Sequence, residues 1–529
     1  METKQTHRNS SPRSARNNPR NKERGMALVL ALLTLILLSA IGLGMMFMSD
    51  TETTVNSNYR DTQLAFFAMR GGLEEARDRM RPAAVSPLTL PTAMPGTANS
   101  ILYITNPAGA TDVVNPKTTD NAYFDDELCH ENYAPLNVIL TLGTLGVPCS
   151  QNIPANSVVY TASTSPNTNT ASALKYKWVR ITLKQNASIT NATVDPAQAA
   201  GSQVCYQTLS QQEIPLSALG AYVDCTAAKA AGLDATPVYV VTSLAITPQG
   251  SRRMGQYEVA ALNINPPPAA LGLNGPSASF SPRPSSNNYF INGNDSGAAG
   301  YTAAGGTGTC TPSGAASVPG ISTGDAAGVT TIDGQLTTNP NRSGNYTGAG
   351  GTPSVVNAGS GGTGAFSGAW SNPSELDGLV ASLAAVADTT YSCGIGAPCS
   401  PAGNVGTNAN PQITFVDGDF NYGNASGAGV LVVTGTLSFT GNANFNGLVL
   451  VIGQGIMTES GGGNGGFNGS IFVADTRSHS SPYSLLGSLG TPTYSWNGGG
   501  NSDIQYNSCW ANIGSNSRFS IIAMREEMY

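Results

Sequence analysis

The chain has 529 residues, 40% of them apolar and only 11% charged, with a formal net charge of −7. That length leaves room for two or three domains with cores of their own. The acidic, lysine-poor balance excludes a broad nucleic-acid-binding surface.

The polar segment 1–25 carries Lys4, Arg8, Arg13, Arg16, Arg20, Lys22 and Arg24 against Glu2 and Glu23. The 23 residues from Met26 to Met48 then hold no charge at all. At ~1.5 Å per residue, such a helix spans a hydrocarbon layer of ~30 Å. A basic excess before a first span keeps that end in the cytoplasm, so everything beyond Asp50 is expected outside. A cleaved secretory signal would have a shorter apolar core and small residues at its far end. This run ends instead in Met45-Met46-Phe47-Met48.

From Val55 the apolar positions alternate in steps of four and three: Val55, Tyr59, Thr62, Phe66, Met69, Leu73, Ala76 and Met80. This heptad stripe, interrupted by Thr62 and stopped by Pro82, predicts one helix of about 55 residues, a membrane span continuing into an amphipathic stem. Arg60, Asp61, Arg70, Glu74, Glu75, Arg77, Asp78 and Arg79 fall off the stripe.

The junction, the span and the stem together resemble type IV pilin-like proteins, most closely minor pilins with a PilX-type N-terminus. Gln63–Arg77 is similar to the family stretch after the span: Ala65, Ala68, Gly72 and Leu73 match, while Arg70 stands where the family usually has Glu. The resemblance covers residues 20–82. It implies that a prepilin peptidase cuts between Gly25 and Met26 and that Met26 becomes N-methylated. It further implies that Val55, Tyr59, Phe66, Met69, Leu73, Ala76 and Met80 pack against other major or minor pilins. The location implied is the bacterial inner membrane, with the bulk extracytoplasmic, and after assembly the pilus, at its tip. Pilins commonly carry Glu at the fifth mature residue, which here is Leu30. A carboxylate in a bilayer is tolerated when it finds a partner charge. Its absence marks a subunit that need not dock onto one already in a fibre, as in tip-located minor pilins.

Residues 83–265 read as a β-rich domain like a pilin head. Leu174, Tyr176 and Trp178 share one face and Val179, Ile181 and Leu183 continue on the other parity, predicting a β-bulge between Trp178 and Val179. Val238–Thr247 and Gln256–Ile264 flank Pro248-Gln249-Gly250-Ser251 as an antiparallel hairpin. Pro266-Pro267-Pro268 forms a stiff linker. All eight cysteines lie beyond the span. In an exported chain they are expected in disulfides, with 105 pairings open. Proximity favours Cys129–Cys149, Cys205–Cys225 and Cys393–Cys399, which leaves Cys310 with Cys509.

Beyond the prolines, residues 269–529 hold 48 of the 62 glycines and no lysine. Val416-x-Gly418, Val433-x-Gly435 and Val451-x-Gly453 recur within similar strands separated by Gly/Asn-rich turns. Repeats of this length predict a short parallel β-helix across 411–475. Asn372, Pro373 and Glu375 supply an N-cap, a first-turn proline and an N3 acid for a helix ahead of it.

Candidate chemistry is sparse. Gly320-Ile321-Ser322-Thr323-Gly324 has the form of a nucleophile elbow, but no strand is predicted to lead into it. Asp417-Gly418-Asp419 starts like a calcium loop, yet Ala428 stands where a bidentate Glu belongs. Asp125, Asp126, Glu127, His130 and Glu131 cluster near Cys129 and read as an exposed loop.

The expected fold is α+β, mostly β: a leader 1–25, a membrane and stem helix 26–82, a pilin-like head 83–265 and a Gly/Asn-rich, β-solenoid-like half. The expected function is a non-enzymatic minor pilin, without cofactor or metal, that primes or caps a fibre and displays its head to a surface or polymer ligand. The alternative is a signal-anchored surface protein outside any fibre.

Overall fold

A computed structural model of the protein describes residues 24–81, 88–90, 92–97, 100–105, 113–127, 157–161, 176–186, 193–264, 269–282, 289–297, 316–338, 341–403, 405–461, 463–498, 503–513 and 518–527. Cys129, Cys149, Cys310, His130, Glu131 and the linker 266–268 lie outside these residues. Contacts divide the chain into two units. One holds the helix up to Leu64 with the turn Thr247–Ser251, and the other holds Ala65–Ile246 and Arg252–Tyr529.

Helix α1 runs Arg24–Arg79. Leu, Ala and Met dominate its first half, all strong helix formers. Hydroxyls in this stretch bond back into the helix: Thr34 donates to the carbonyl of Leu30 at 3.0 Å and Thr51 to that of Phe47 at 2.8 Å.

The second unit begins with β1 (Leu102–Thr105), β2 (Val158–Thr161), β3 (Trp178–Leu183), β4 (Val204–Gln207) and β5 (Gln212–Pro215). The short helices α2 (Leu216–Leu219) and α3 (Cys225–Ala230) lead to the hairpin β6 (Thr236–Ile246) and β7 (Arg252–Ala261). Ala68, Met69, Leu73, Ala76 and Met80 of α1 pack on this sheet against Leu102, Ile104, Val179, Ile181, Val241 and Val259. Two glycines permit the close approach. A Cβ at Gly72 would meet the Ser243 hydroxyl at 2.5 Å, and one at Gly255 would meet the Met69 sulfur at 2.4 Å.

The parity change in β3 has another cause than a bulge. Its register with β1 and β6 is unbroken, and all six residues are buried. Val179 and Ile181 face α1, while Trp178 packs with Ile101, Tyr103, Leu244 and Met254. A strand covered on both faces needs no alternation.

The C-terminal half supplies β8 (Leu271–Asn274), β9 (Ser279–Ser281), β10 (Phe290–Asn292), β11 (Ile321–Thr323), α4 (Ala326–Thr337), β12 (Tyr346–Thr347), β13 (Val355–Asn357), α5 (Pro373–Ala385) and β14 (Thr389–Ser392). The chain continues through β15 (Gln412–Asp417), β16 (Phe420–Gly423), β17 (Ser426–Val433), β18 (Thr436–Thr440), β19 (Asn444–Gly453) and β20 (Ile456–Gly461). It ends with β21 (Gly466–Asp475), β22 (Thr493–Gly498), β23 (Asp503–Tyr506), α6 (Ser508–Ala511) and β24 (Phe519–Glu527). As expected, Asn372 caps α5, accepting from the Ser374 N–H at 3.0 Å, with Pro373 opening the helix.

These strands build an eleven-stranded and a five-stranded sheet in which every neighbour pair is parallel. From β15 to β23 the chain passes from one sheet to the other and back. Val416, Val433, Val451 and Val473 stand in one register column, so the repeat seen in the sequence is a column of stacked residues. They point inward, with Phe420, Tyr422, Phe439, Phe445, Phe467, Tyr494 and Trp496. The outer side of the same strands is covered by Leu376, Leu379 and Leu383 of α5, packed on Val430, Val432, Leu448 and Leu450. The parallel strands also extend beyond 411–475. β8 lies on β21, β9 on β22 and β10 on β23, so the first strands of this half stack on its last.

The final strand leaves that stack. β24 pairs antiparallel with β7, from Phe519 opposite Ala261 to Glu527 opposite Met254, and completes the eight-stranded sheet. Residues 262–518 are therefore inserted between two adjacent strands of one sheet. Leu262, Ile264 and Leu209 share a core with α5, and Gln211 Nε2 donates to the Gly378 carbonyl at 3.0 Å.

Candidate assembly site

The apolar stretch of α1 exposes its side chains from 47% at Ile41 to 72% at Phe47, with Met26 at 70% and Leu30 at 63%. Burying a side chain of this kind is worth ~1.5–3 kcal/mol, so such a row is stable only in a bilayer or against other apolar helices. The helix is long and apolar enough to cross a membrane. Gly42 and Gly44 have open space where a Cβ would stand, which would let another helix come close.

The heptad stripe divides between two uses. Val55 and Tyr59 are exposed, at 60% and 66%. Met69, Leu73, Ala76 and Met80 are buried in the chain's own sheet, with Phe66 packed beside them. These five positions therefore do not face partner helices as expected; the second half of the stripe meets an apolar sheet first. The end of α1 is fixed by Arg79, fully buried, which donates to Glu75 Oε1 at 2.8 Å and the Leu88 carbonyl at 3.0 Å.

Residues 24–68 match a family model described as PilX N-terminal. The chain carries a type IV pilin-like N-terminus. No curated protein and no solved structure matches the chain. An exposed apolar helix and a pilin-type N-terminus together suggest a membrane-anchored, extracytoplasmic pilin, whose partners in general terms are the pilus machinery. Gly25 and Met26 both lie within α1.

The other candidate residues have structural partners. Asp125 accepts from Arg180 at 2.5 Å and from the Tyr103 hydroxyl at 2.8 Å, fully buried. Glu127 pairs with Arg252, and Asp126 with Lys177 at 3.4 Å and Arg252 at 3.2 Å. Burial alone would raise the Asp126 carboxyl, but Lys177 and Arg252 outweigh it and hold it below its ordinary range. Ser322 is a buried mid-strand residue of β11, opposite Gly272 and Val356. Asp419 secures a corner between sheets, accepting from the Gly396 N–H at 2.6 Å and the Thr436 N–H at 2.7 Å. His479 bonds to Asp475 at 3.2 Å.

Cys205–Cys225 and Cys393–Cys399 are bonded as expected, with Cα atoms 5.7 Å and 5.5 Å apart. Cys509 is also in a disulfide. A glycine column not expected from the sequence, Gly429, Gly447 and Gly469, stands in register across β17, β19 and β21. At Gly447, φ is +150°, and a Cβ would sit 1.9 Å from the Gly429 carbonyl oxygen. The signal was present as one glycine two residues before each apolar Leu-Val-Val, Val-Leu-Val or Ile-Phe-Val run.

Proposed function

We propose that this chain is a minor pilin of a type IV pilus or a related assembly, priming or capping the fibre and displaying a large extracellular head. The observation that carries this reading is the PilX-type match over residues 24–68 on a helix whose apolar side chains are exposed. Prepilin peptidase would cut between Gly25 and Met26, and Met26 would be N-methylated. The bilayer holds the subunit before assembly, and neighbouring pilin helices hold it afterwards, against Met26–Met48 together with Val55 and Tyr59.

Leu30 supports a tip position, because it offers no carboxylate to a subunit below. The inserted half acts as a display module, a β-solenoid closed on one side by α5, presenting a rigid surface for adhesion. Sheared fibres from the host test this. A few copies per fibre, localised at one end by labelled antibody, are expected, together with loss of surface fibres when the chain is deleted. Recovery only in membranes, with fibre number unchanged by deletion, overturns it and leaves a signal-anchored surface protein.

A further inference from the structure

The outward side of the eleven-stranded sheet carries a column of amides and a hydroxyl. Asn446 stands opposite Asn468, Asn468 opposite Gln505, Gln505 opposite Asn292, and Asn292 opposite Thr347. At ~4.8 Å between strands the column is about 20 Å long. Its members are held in place. Asn446 Nδ2 donates to Asn408 Oδ1 at 2.9 Å, Ser296 Oγ to Asn468 Oδ1 at 3.3 Å, and Asn292 Nδ2 to Gln505 Oε1 at 3.0 Å. The residues between them, Phe445, Phe467, Ile504 and Ile291, point into the core and keep the sheet rigid.

Beside the column Gly466 and Gly427 leave out side chains, and a groove of about 600 Å³ opens. Asn408, Ser426, Asn444, Asn446, Asn468 and Asp503 line it. Among the described residues its lining has no cation, and Asp503, the one carboxylate among them, accepts from the Phe290 N–H at 3.2 Å. Phosphate or uronate polymers need lysine or arginine, and an apolar peptide or lipid needs an apolar floor. Gln505 Nε2 is taken by the carbonyls of Asn294 at 2.6 Å and Tyr506 at 3.0 Å, so the amides that meet a ligand are those lining the groove, Asn408, Asn444, Asn446 and Asn468. Planar amides, which both donate and accept, match neighbouring hydroxyls on an uncharged sugar ring.

We propose that this groove binds a neutral polysaccharide, its chain lying across the strands along the amide column. The proposal rests on the display role above and gives that role a ligand class. Glycan binding and fibre assembly are separate readouts, so a chain that binds glycan without entering fibres overturns only the display role, and one that assembles without binding overturns only this site.

The test is saturation-transfer NMR and calorimetry on the full mature chain in detergent. The probes are maltohexaose, cellohexaose and chitohexaose, with hexagalacturonate as the anionic comparator. At least one neutral hexamer is expected to bind and hexagalacturonate is not. Asn468→Asp and Gly466→Val should each weaken binding roughly tenfold or more through lost hydrogen bonding and lost space. A Cβ at Gly466 comes no nearer to its surroundings than 3.3 Å, at the Asp503 carbonyl oxygen. Asn444→Asp, at an exposed position, serves as a third variant that leaves the fold intact, and thermal melting checks all three. Absence of binding by every neutral hexamer, equal binding of hexagalacturonate, or affinity unchanged in folded variants overturns the proposal.

Discussion

The eight-stranded sheet and the parallel sheets inserted into it are held by opposite means. The first is assembled from distant segments, and buried charges fix which strands meet. Lys184, just past the end of β3, bonds Glu213 on β5 at 2.7 Å and Glu258 on β7 at 2.7 Å, and Arg525 on β24 bonds Glu258 at 3.0 Å. The parallel sheets have no lysine. Stacked columns of valine, aromatic rings, glycine and amide set their register, and identical charges ~4.8 Å apart in such a column would repel. One region gains uniqueness from pairs that match only one way, and the other from repetition.

Different substitutions should break each region. In the eight-stranded sheet the largest effect is expected from Arg180→Ala, which takes the Arg180 cation away from the buried Asp125 carboxylate. Breaking such a pair costs about 3–5 kcal/mol, measurable by urea unfolding of the mature chain. In the parallel sheets the corresponding break comes from adding carbon. Gly447→Val forces a strained backbone into a carbonyl oxygen and should cost about 3 kcal/mol or more, with little change from Gly344→Val, where no atom lies within 4 Å of the added Cβ.

Disulfides sharpen the comparison. Cys205–Cys225 closes a separation of 20 residues and Cys393–Cys399 one of 6. Replacing each pair with serine should cost about 3 and about 2 kcal/mol respectively by loop entropy. The smallest effect is a change of slope with pH. Burial raises the Glu213 carboxyl above its ordinary value, with Glu258 adding to this and Lys184 and Arg525 opposing it. The folded state then holds more protons than the unfolded one just above the ordinary glutamate pKa, so this group makes stability fall as pH rises through that window. Glu213→Gln should flatten that part of the melting profile, which a pH series of thermal melts reads directly.

Much of this was legible in the sequence. The charge-free run, the stripe after it, the hairpin around Gly250 and the cap at Asn372 are local patterns, and the Val-x-Gly repeat shows stacking because a parallel column repeats in sequence what it repeats in space. What stayed hidden depends on partners far along the chain. Nothing in Phe519–Glu527 says that it pairs with β7, since any short apolar strand could fill that edge. β3 misled because its parity records only that both faces are covered, not which elements cover them. Phe66, Met69, Leu73, Ala76 and Met80 form a stripe whose spacing is the same for a partner helix and for the chain's own sheet.

The most direct test of a pilin-type N-terminus is the intact mass and N-terminal sequence of the protein taken from membranes of its own host. A chain beginning at N-methylated Met26 is the expected result, and it would establish processing by a prepilin peptidase. A chain that retains residues 1–25, or one cut elsewhere without methylation, would contradict pilus assembly as the role of this helix.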